Sequence, residues 1–212
     1  MRASTWIIIL SFTMTLVTLN IPSLINLLGF TPMDLAHLRL WTLFTALFLH
    51  SGMPHLLGNM VFLFVLGRTL ERIVGQARFL TVFFTGGILS FILSIPFYRR
   101  DIVMVGSSAA IFSVASADML ITPMTFSIIF LAPVGAVALL YLLYNIASIY
   151  YGVSGGVAYI SHIIGFILGL PFGVAWSKNW RRNLATSIIL LLVYIIIMGI
   201  LFTIIKVKIA PY

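Results

Sequence analysis

The feature that most constrains this chain is the recurrence of apolar runs of about 20 residues, the length at which a helix crosses a hydrocarbon core about 30 Å thick. Patches bearing charge, Pro or Gly separate them, most of them short. Of the 212 residues, 62% are hydrophobic and 8% charged, where an ordinary soluble domain carries about 25% charged residues, so a water-soluble globule could not hide the apolar surface. The pattern predicts an all-α, polytopic membrane bundle. Seven helices are expected, over 6–20, 54–70, 79–97, 108–120, 126–144, 158–176 and 184–205, bounded by charges, Pro and Gly as helix ends usually are. The first starts close behind Met1-Arg2 but precedes no small-x-small cleavage pattern, and is expected to be an uncleaved span.

Cysteine is absent, which excludes a disulfide framework, thiolate metal sites, iron–sulfur clusters and a cysteine nucleophile. The formal net charge of +8 does not point to nucleic acid, because the basic residues lie in short clusters between apolar runs and form no stripe. Such clusters report topology. Counting on alternate sides puts Arg2, Arg68, Arg72, Arg78, Lys178, Arg181 and Arg182 on one face and Arg39, Arg99, Arg100, Lys206 and Lys208 on the other, seven against five. That balance favours a cytoplasmic N-terminus. The stretch 21–49 is long for a connection and rich in Leu, Phe and Trp, which suits a partly helical segment at the membrane surface.

A strongly polar side chain inside a bilayer is costly, so each one is a functional hypothesis. The candidates are His50, His55 and Asn59 at the start of the second helix, Glu71 at its far end, Asp118, Asn145 at the end of the fifth helix, and His162 within the sixth. His162 lies deepest in an apolar run and is followed by Gly165, Gly169 and Gly173, a four-residue spacing that gives one smooth face for close helix approach. A histidine that only bridges two helices fits equally well at this point. In Gly106-Ser107-Ser108, a glycine turn delivers hydroxyls into a helix start of small residues. A serine needs a base within hydrogen-bond reach to become a nucleophile, and neutral imidazole is the usual one. Ser113 and Ser116 fit the commoner role of bonding their own helix. His55 and Asn59, four apart, project from one helix face and offer two donors suited to a developing oxyanion. A zinc site built on these histidines lacks a His-Glu-x-x-His pattern and any nearby acidic residue.

Together, His50-Ser-Gly-Met-Pro-His55-x-x-x-Asn59, Gly106-Ser107-Ser108 with Ala110-Ile111-Phe112, and His162-x-x-Gly165-x-x-x-Gly169 resemble the rhomboid family of intramembrane serine proteases. Glu71-x-x-x-Gly75 adds to the likeness. The resemblance runs from about Trp41 to Gly173. It implies a Ser108–His162 dyad without a third acid, and an oxyanion held by the Ser108 N–H with His55 and Asn59. Phe112 would stack on the His162 ring, with His50, Gly106, Gly165 and Gly169 in support. It implies a six-helix rhomboid-like core at 1–176, with 21–49 its long interfacial first loop, and a basic loop plus an added seventh helix at 177–212. No metal or other cofactor is implied. The expected partners are transmembrane protein substrates and the lipid bilayer, not nucleic acid, in the plasma membrane of a prokaryote with the site opening outward.

Three positions depart from the family pattern: Ala109 and Ile164 stand where Gly is common, and Ser161 where Ala is common. The usual Trp-Arg pair of the first loop appears as Trp41-Thr42, with Arg39 two residues earlier, and no role carries over to Arg39. Two other readings stay open from residues alone: an inactive relative that binds transmembrane helices, and a small transporter with His50, His55 and His162 along its path.

Overall fold

The computed structural model describes residues 1–153 and 158–209, with side chains through residue 204, so those of Lys206 and Lys208 lie outside it. The bundle is built from α1 (Ala3–Asn20), α2 (Met53–Val74), α3 (Gln76–Ser94), α4 (Ser108–Ile121), α5 (Val134–Tyr150), α6 (Tyr159–Trp176) and α7 (Trp180–Ile209). Among the described residues, five of these helices are long and apolar enough to cross a bilayer, and α4 and α5 are shorter. The chain is a helical, multi-pass membrane bundle.

α4 is the axis of the molecule. Every residue from Ser108 to Leu120 is buried, with α6, α3 and α5 packed around it. Its composition permits this, because Ala109, Ala110, Ser113, Ala115, Ser116 and Ala117 keep it thin. The α6 glycines complete the fit. A Cβ at Gly165 would run into the Ala109 carbonyl oxygen, and one at Gly169 into the Ser113 carbonyl and the Ser116 hydroxyl. Lipid tails give two helices no hydrophobic reason to associate, so backbone-to-backbone packing of this kind supplies the dispersion that holds them. At 14 residues α4 is only about 21 Å long at 1.5 Å per residue, so an end level with one membrane surface leaves the other below the opposite surface.

The passage from α2 into α3 carries Arg68, Glu71, Arg72 and Arg78. Glu71 accepts hydrogen bonds from the Ala3 N–H at 2.6 Å, the Ser4 N–H at 3.1 Å and the Ser4 hydroxyl at 2.6 Å, so the α2 carboxylate closes the N-terminus of α1. Arg78 lies over Trp176, 5.4 Å from the ring centroid.

The 21–49 segment is partly helical, with short turns at Ser23–Leu28, Pro32–Ala36, Thr42–Thr45 and a tighter one at Ala46–Phe48. Arg39 fastens it. Its guanidinium donates to the Asn26 and Leu27 carbonyls at 2.7 and 2.9 Å, pairs with buried Asp34 at 3.0 Å, and sits 5.6 Å from the Trp41 ring centroid. The segment then reaches the chain just ahead of α4. Phe30 and Met104 exchange backbone hydrogen bonds at 3.1 and 2.7 Å, and the Gly106 N–H donates to the Ala46 carbonyl at 2.9 Å.

The fifth helix differs from expectation. Residues 126–133 are not its first turns but a small antiparallel pair, Phe126–Ser127 against Ala132–Pro133, and α5 begins at Val134 and continues to Tyr150. Pro133 is the reason: it has no N–H to continue a helix from before, yet its ring is well placed at a helix start. The Ser127 hydroxyl accepts from the Phe130 N–H at 3.2 Å and tightens the turn.

Candidate active site

Gly106 has φ +117, a left-handed conformation that glycine adopts without a Cβ penalty, and this turn sends the chain into α4 with Ser108 as its first residue. The two adjacent hydroxyls then part. Ser107 is buried and faces backward, 3.5 Å from His50 Nε2, while His50 Nδ1 meets the α1 hydroxyl of Thr15 at 3.1 Å. Ser108 faces His162 of α6, with 2.6 Å between Ser108 Oγ and His162 Nε2. This distance follows from the glycine face, since any side chain at Gly165 would push α6 away from the first turn of α4.

The His162 ring is held on three sides. Phe112, one turn after the serine, stacks on it with centroids 4.8 Å apart and planes 13° apart, and Tyr159 meets it edge-on at 6.4 Å. Phe112 is stacked in turn on Tyr141 of α5 at 3.9 Å. The ring's other nitrogen, Nδ1, lies 2.7 Å from Asn145 Oδ1.

In front of Ser108 opens a cavity of about 650 Å³. Ser108, His162, His55, Asn59 and Gly106 line it, together with Tyr98, Ile102 and Val103 from the chain leading into α4. His55 and Asn59 come over the Gly106 turn from α2. A Cβ on Gly106 would fall 2.9 Å from His55 Nε2 and 3.6 Å from Asn59 Nδ2. The Ser51 N–H donates to His55 Nδ1 at 3.4 Å, which leaves the proton of a neutral ring on Nε2, aimed at the turn. Asn59 Nδ2 is buried and finds no partner among the described residues. Two donors therefore converge beside the serine at the N-terminal, partially positive end of α4.

The structure thus gathers four of the sequence candidates, Ser108, His162, His55 and Asn59, around one cavity. His50 stands behind it, its ring edge-on to His55 at 5.0 Å, and Phe112 backs the His162 ring. Gly165 and Gly169 are buried in the α4–α6 seam. Asn145 and Tyr141 touch this group, although nothing in the motifs assigns them to it. The signal for Asn145 was its polarity within an apolar run. Linking it to His162 requires knowing how α5 and α6 cross. Near the mouth, exposed Asp101 is hydrogen-bonded by Arg99 at 2.9 and 3.1 Å, and this holds its carboxyl below the usual range.

A buried serine–histidine pair beside a cavity with an unpaired amide donor, inside a multi-pass helical bundle, sets this chain among membrane proteins with a polar site enclosed by their helices. Comparison with known families narrows it. The rhomboid domain matches residues 37–179, two thirds of the chain, and the protein belongs to the rhomboid family. It is similar to the putative rhomboid protease YdcA of Bacillus subtilis, 43% identical over 72 residues, which is 34% of this chain and 36% of that protein. RHOMBOID-like protein 7 of Arabidopsis thaliana is 37% identical over 79 residues, 37% of this chain and 25% of its own length. Rhomboid protease GluP of Bacillus subtilis is 36% identical over 77 residues, 36% of this chain and 15% of its own length. The matched stretches thus span little more than a third of these relatives at most.

Proposed function

We propose that this protein is an intramembrane serine endopeptidase that cleaves transmembrane segments of other membrane proteins. The observation that carries the reading is the 2.6 Å contact between Ser108 Oγ and His162 Nε2 beside the cavity. In this reaction Ser108 Oγ attacks a peptide carbonyl carbon while its proton passes to His162 Nε2. The carbonyl oxygen becomes an oxyanion, stabilised by the Ser108 N–H, the His55 Nε2–H and the Asn59 amide. The C–N bond then breaks as His162 returns the proton to the leaving amine. Water from the cavity, activated by the same imidazole, hydrolyses the acyl-enzyme and restores Ser108.

Asn59 supports the oxyanion role specifically. A buried amide donor without a partner costs about 1–3 kcal/mol, a penalty that is relieved when negative charge develops beside it. The peptide must also present its carbonyl. In a transmembrane helix that oxygen is already hydrogen-bonded, so cleavage requires local unwinding and favours substrates with helix-weakening residues. Likeness to the family adds a small residue before the scissile bond.

In the same reading, residues 1–176 form the protease core and 177–212 a basic loop with an added helix. The end of the bundle with Arg2, Arg68, Arg72, Arg78, Lys178, Arg181 and Arg182 faces the cytoplasm of a prokaryotic cell, and the cavity faces outward. The test is cleavage of a reconstituted single-span substrate, with products mapped by mass spectrometry. Wild type and Ser107→Ala should cut at one site, and Ser108→Ala and His162→Ala should not. Cleavage surviving Ser108→Ala would overturn the reading.

A further inference from the structure

Asn145 is 1% exposed on a helix whose neighbouring residues Tyr144 and Ile146 face outward, and a carboxamide buried there must be satisfied. Its two ends are satisfied differently. Nδ2 donates to the Tyr141 carbonyl, one turn back on α5, at 2.7 Å. The amide is therefore oriented, because the reverse orientation would set two oxygens against each other. Oδ1 is left facing His162 Nδ1 at 2.7 Å, and an amide oxygen only accepts. The proton of the neutral imidazole must then sit on Nδ1, which leaves the Nε2 lone pair directed at Ser108 Oγ.

This order of donors and acceptors has a chemical consequence. An imidazole with its proton on Nε2 would point an N–H at the serine and could not remove its proton. In soluble serine hydrolases a carboxylate sets the tautomer, and losing the correct tautomer costs about 10⁴-fold in kcat. Among the described residues no carboxylate bonds His162, and a buried anion in this apolar setting would carry a large desolvation cost. A neutral amide sets the same tautomer without adding charge. The same turn of α5 also carries Tyr141, whose ring lies on Phe112 while Phe112 lies on the imidazole, so ring orientation and proton placement both come from residues 141–145.

We propose that Asn145 is the positioning residue of this site, accepting a hydrogen bond from His162 Nδ1 and so setting the tautomer that lets Nε2 take the Ser108 proton. The proposal rests on the Ser108–His162 reading but is tested apart from it. Full-length protein with ¹⁵N-labelled histidine is reconstituted in lipid, and the His162 ring signals are assigned by their loss in His162→Gln. Wild type should show a protonated Nδ1 and an unprotonated Nε2. Asn145→Leu, of similar size but unable to accept, should move the proton to Nε2 and lower kcat by about 10²-fold or more, with KM nearly unchanged. Asn145→Asp, which keeps an acceptor in place, should restore the Nδ1 proton.

A wild-type ring protonated on Nε2 would overturn the proposal. So would an Asn145→Leu protein that melts earlier yet keeps both the Nδ1 proton and kcat, since that is the mark of a purely structural residue. Should Asn145→Leu fail to fold, the wild-type ring spectrum decides by itself. Failure of the protease reading looks different: Nδ1 protonated in wild type, but no cleavage and no reaction of Ser108 with a fluorophosphonate.

Discussion

The two sides of Ser108 are built on opposite principles. Behind it, the seam between α4 and α6 is closed to the level of backbone atoms, with Gly165 against the Ala109 carbonyl and Gly169 against that of Ser113. In front, across the Gly106 turn, α2 offers His55 and Asn59 to a cavity, and one of the donors is unpaired. Tight packing suits the pair whose distance must not vary. Unfilled hydrogen-bonding capacity suits the place where charge appears only during reaction. In the proposed reaction the seam sets where the proton goes, and the α2 face sets how much the intermediate is stabilised.

Substitutions can break this contrast, in decreasing order of effect. Ser108→Ala and His162→Ala remove the proposed reacting pair and should each lower kcat by about 10⁴-fold or more, read as cleavage of a reconstituted substrate. Asn59→Ala and His55→Ala leave the pair intact and remove one oxyanion donor, so each should cost about 10²- to 10³-fold in kcat with little change in KM. Gly165→Ala acts on the seam alone. Its Cβ would meet the Ala109 carbonyl and part the two helices, and a displacement of about 1 Å at a reacting pair costs about 10²-fold. Unlike the donor variants, it should also lower the melting temperature. Arg39→Ala touches neither side. It should lower stability by about 1.5–3 kcal/mol through lost charge-assisted hydrogen bonds, read from unfolding, and change cleavage least.

The seam is the part of the molecule most legible in the sequence, and for a physical reason. Glycines at 165, 169 and 173, and the small residues from 108 to 117, are local patterns whose meaning in a membrane hardly depends on the partner. The α2 pair is legible for the same reason, since four-residue spacing fixes a shared helix face. What depends on crossings between elements is not legible. Asn145 meets His162 only because α5 and α6 cross where they do. Arg39 fastens the first loop through the backbone carbonyls of residues 26 and 27, which no residue pattern announces. The start of α5 was hidden differently. The run 126–144 carries no charge and is apolar almost throughout, Ser127 excepted, so hydropathy alone extends the helix back through Pro133 and misses the hairpin.

Which of the two adjacent hydroxyls reacts is the central point, because the structure turns Ser107 toward His50 and Ser108 toward His162. The most direct measurement is labelling of the lipid-reconstituted protein with a fluorophosphonate, followed by peptide mapping. The account predicts a single adduct on Ser108, abolished in His162→Ala and retained in Ser107→Ala. An adduct on Ser107, or a Ser108 adduct formed equally fast without His162, would contradict it.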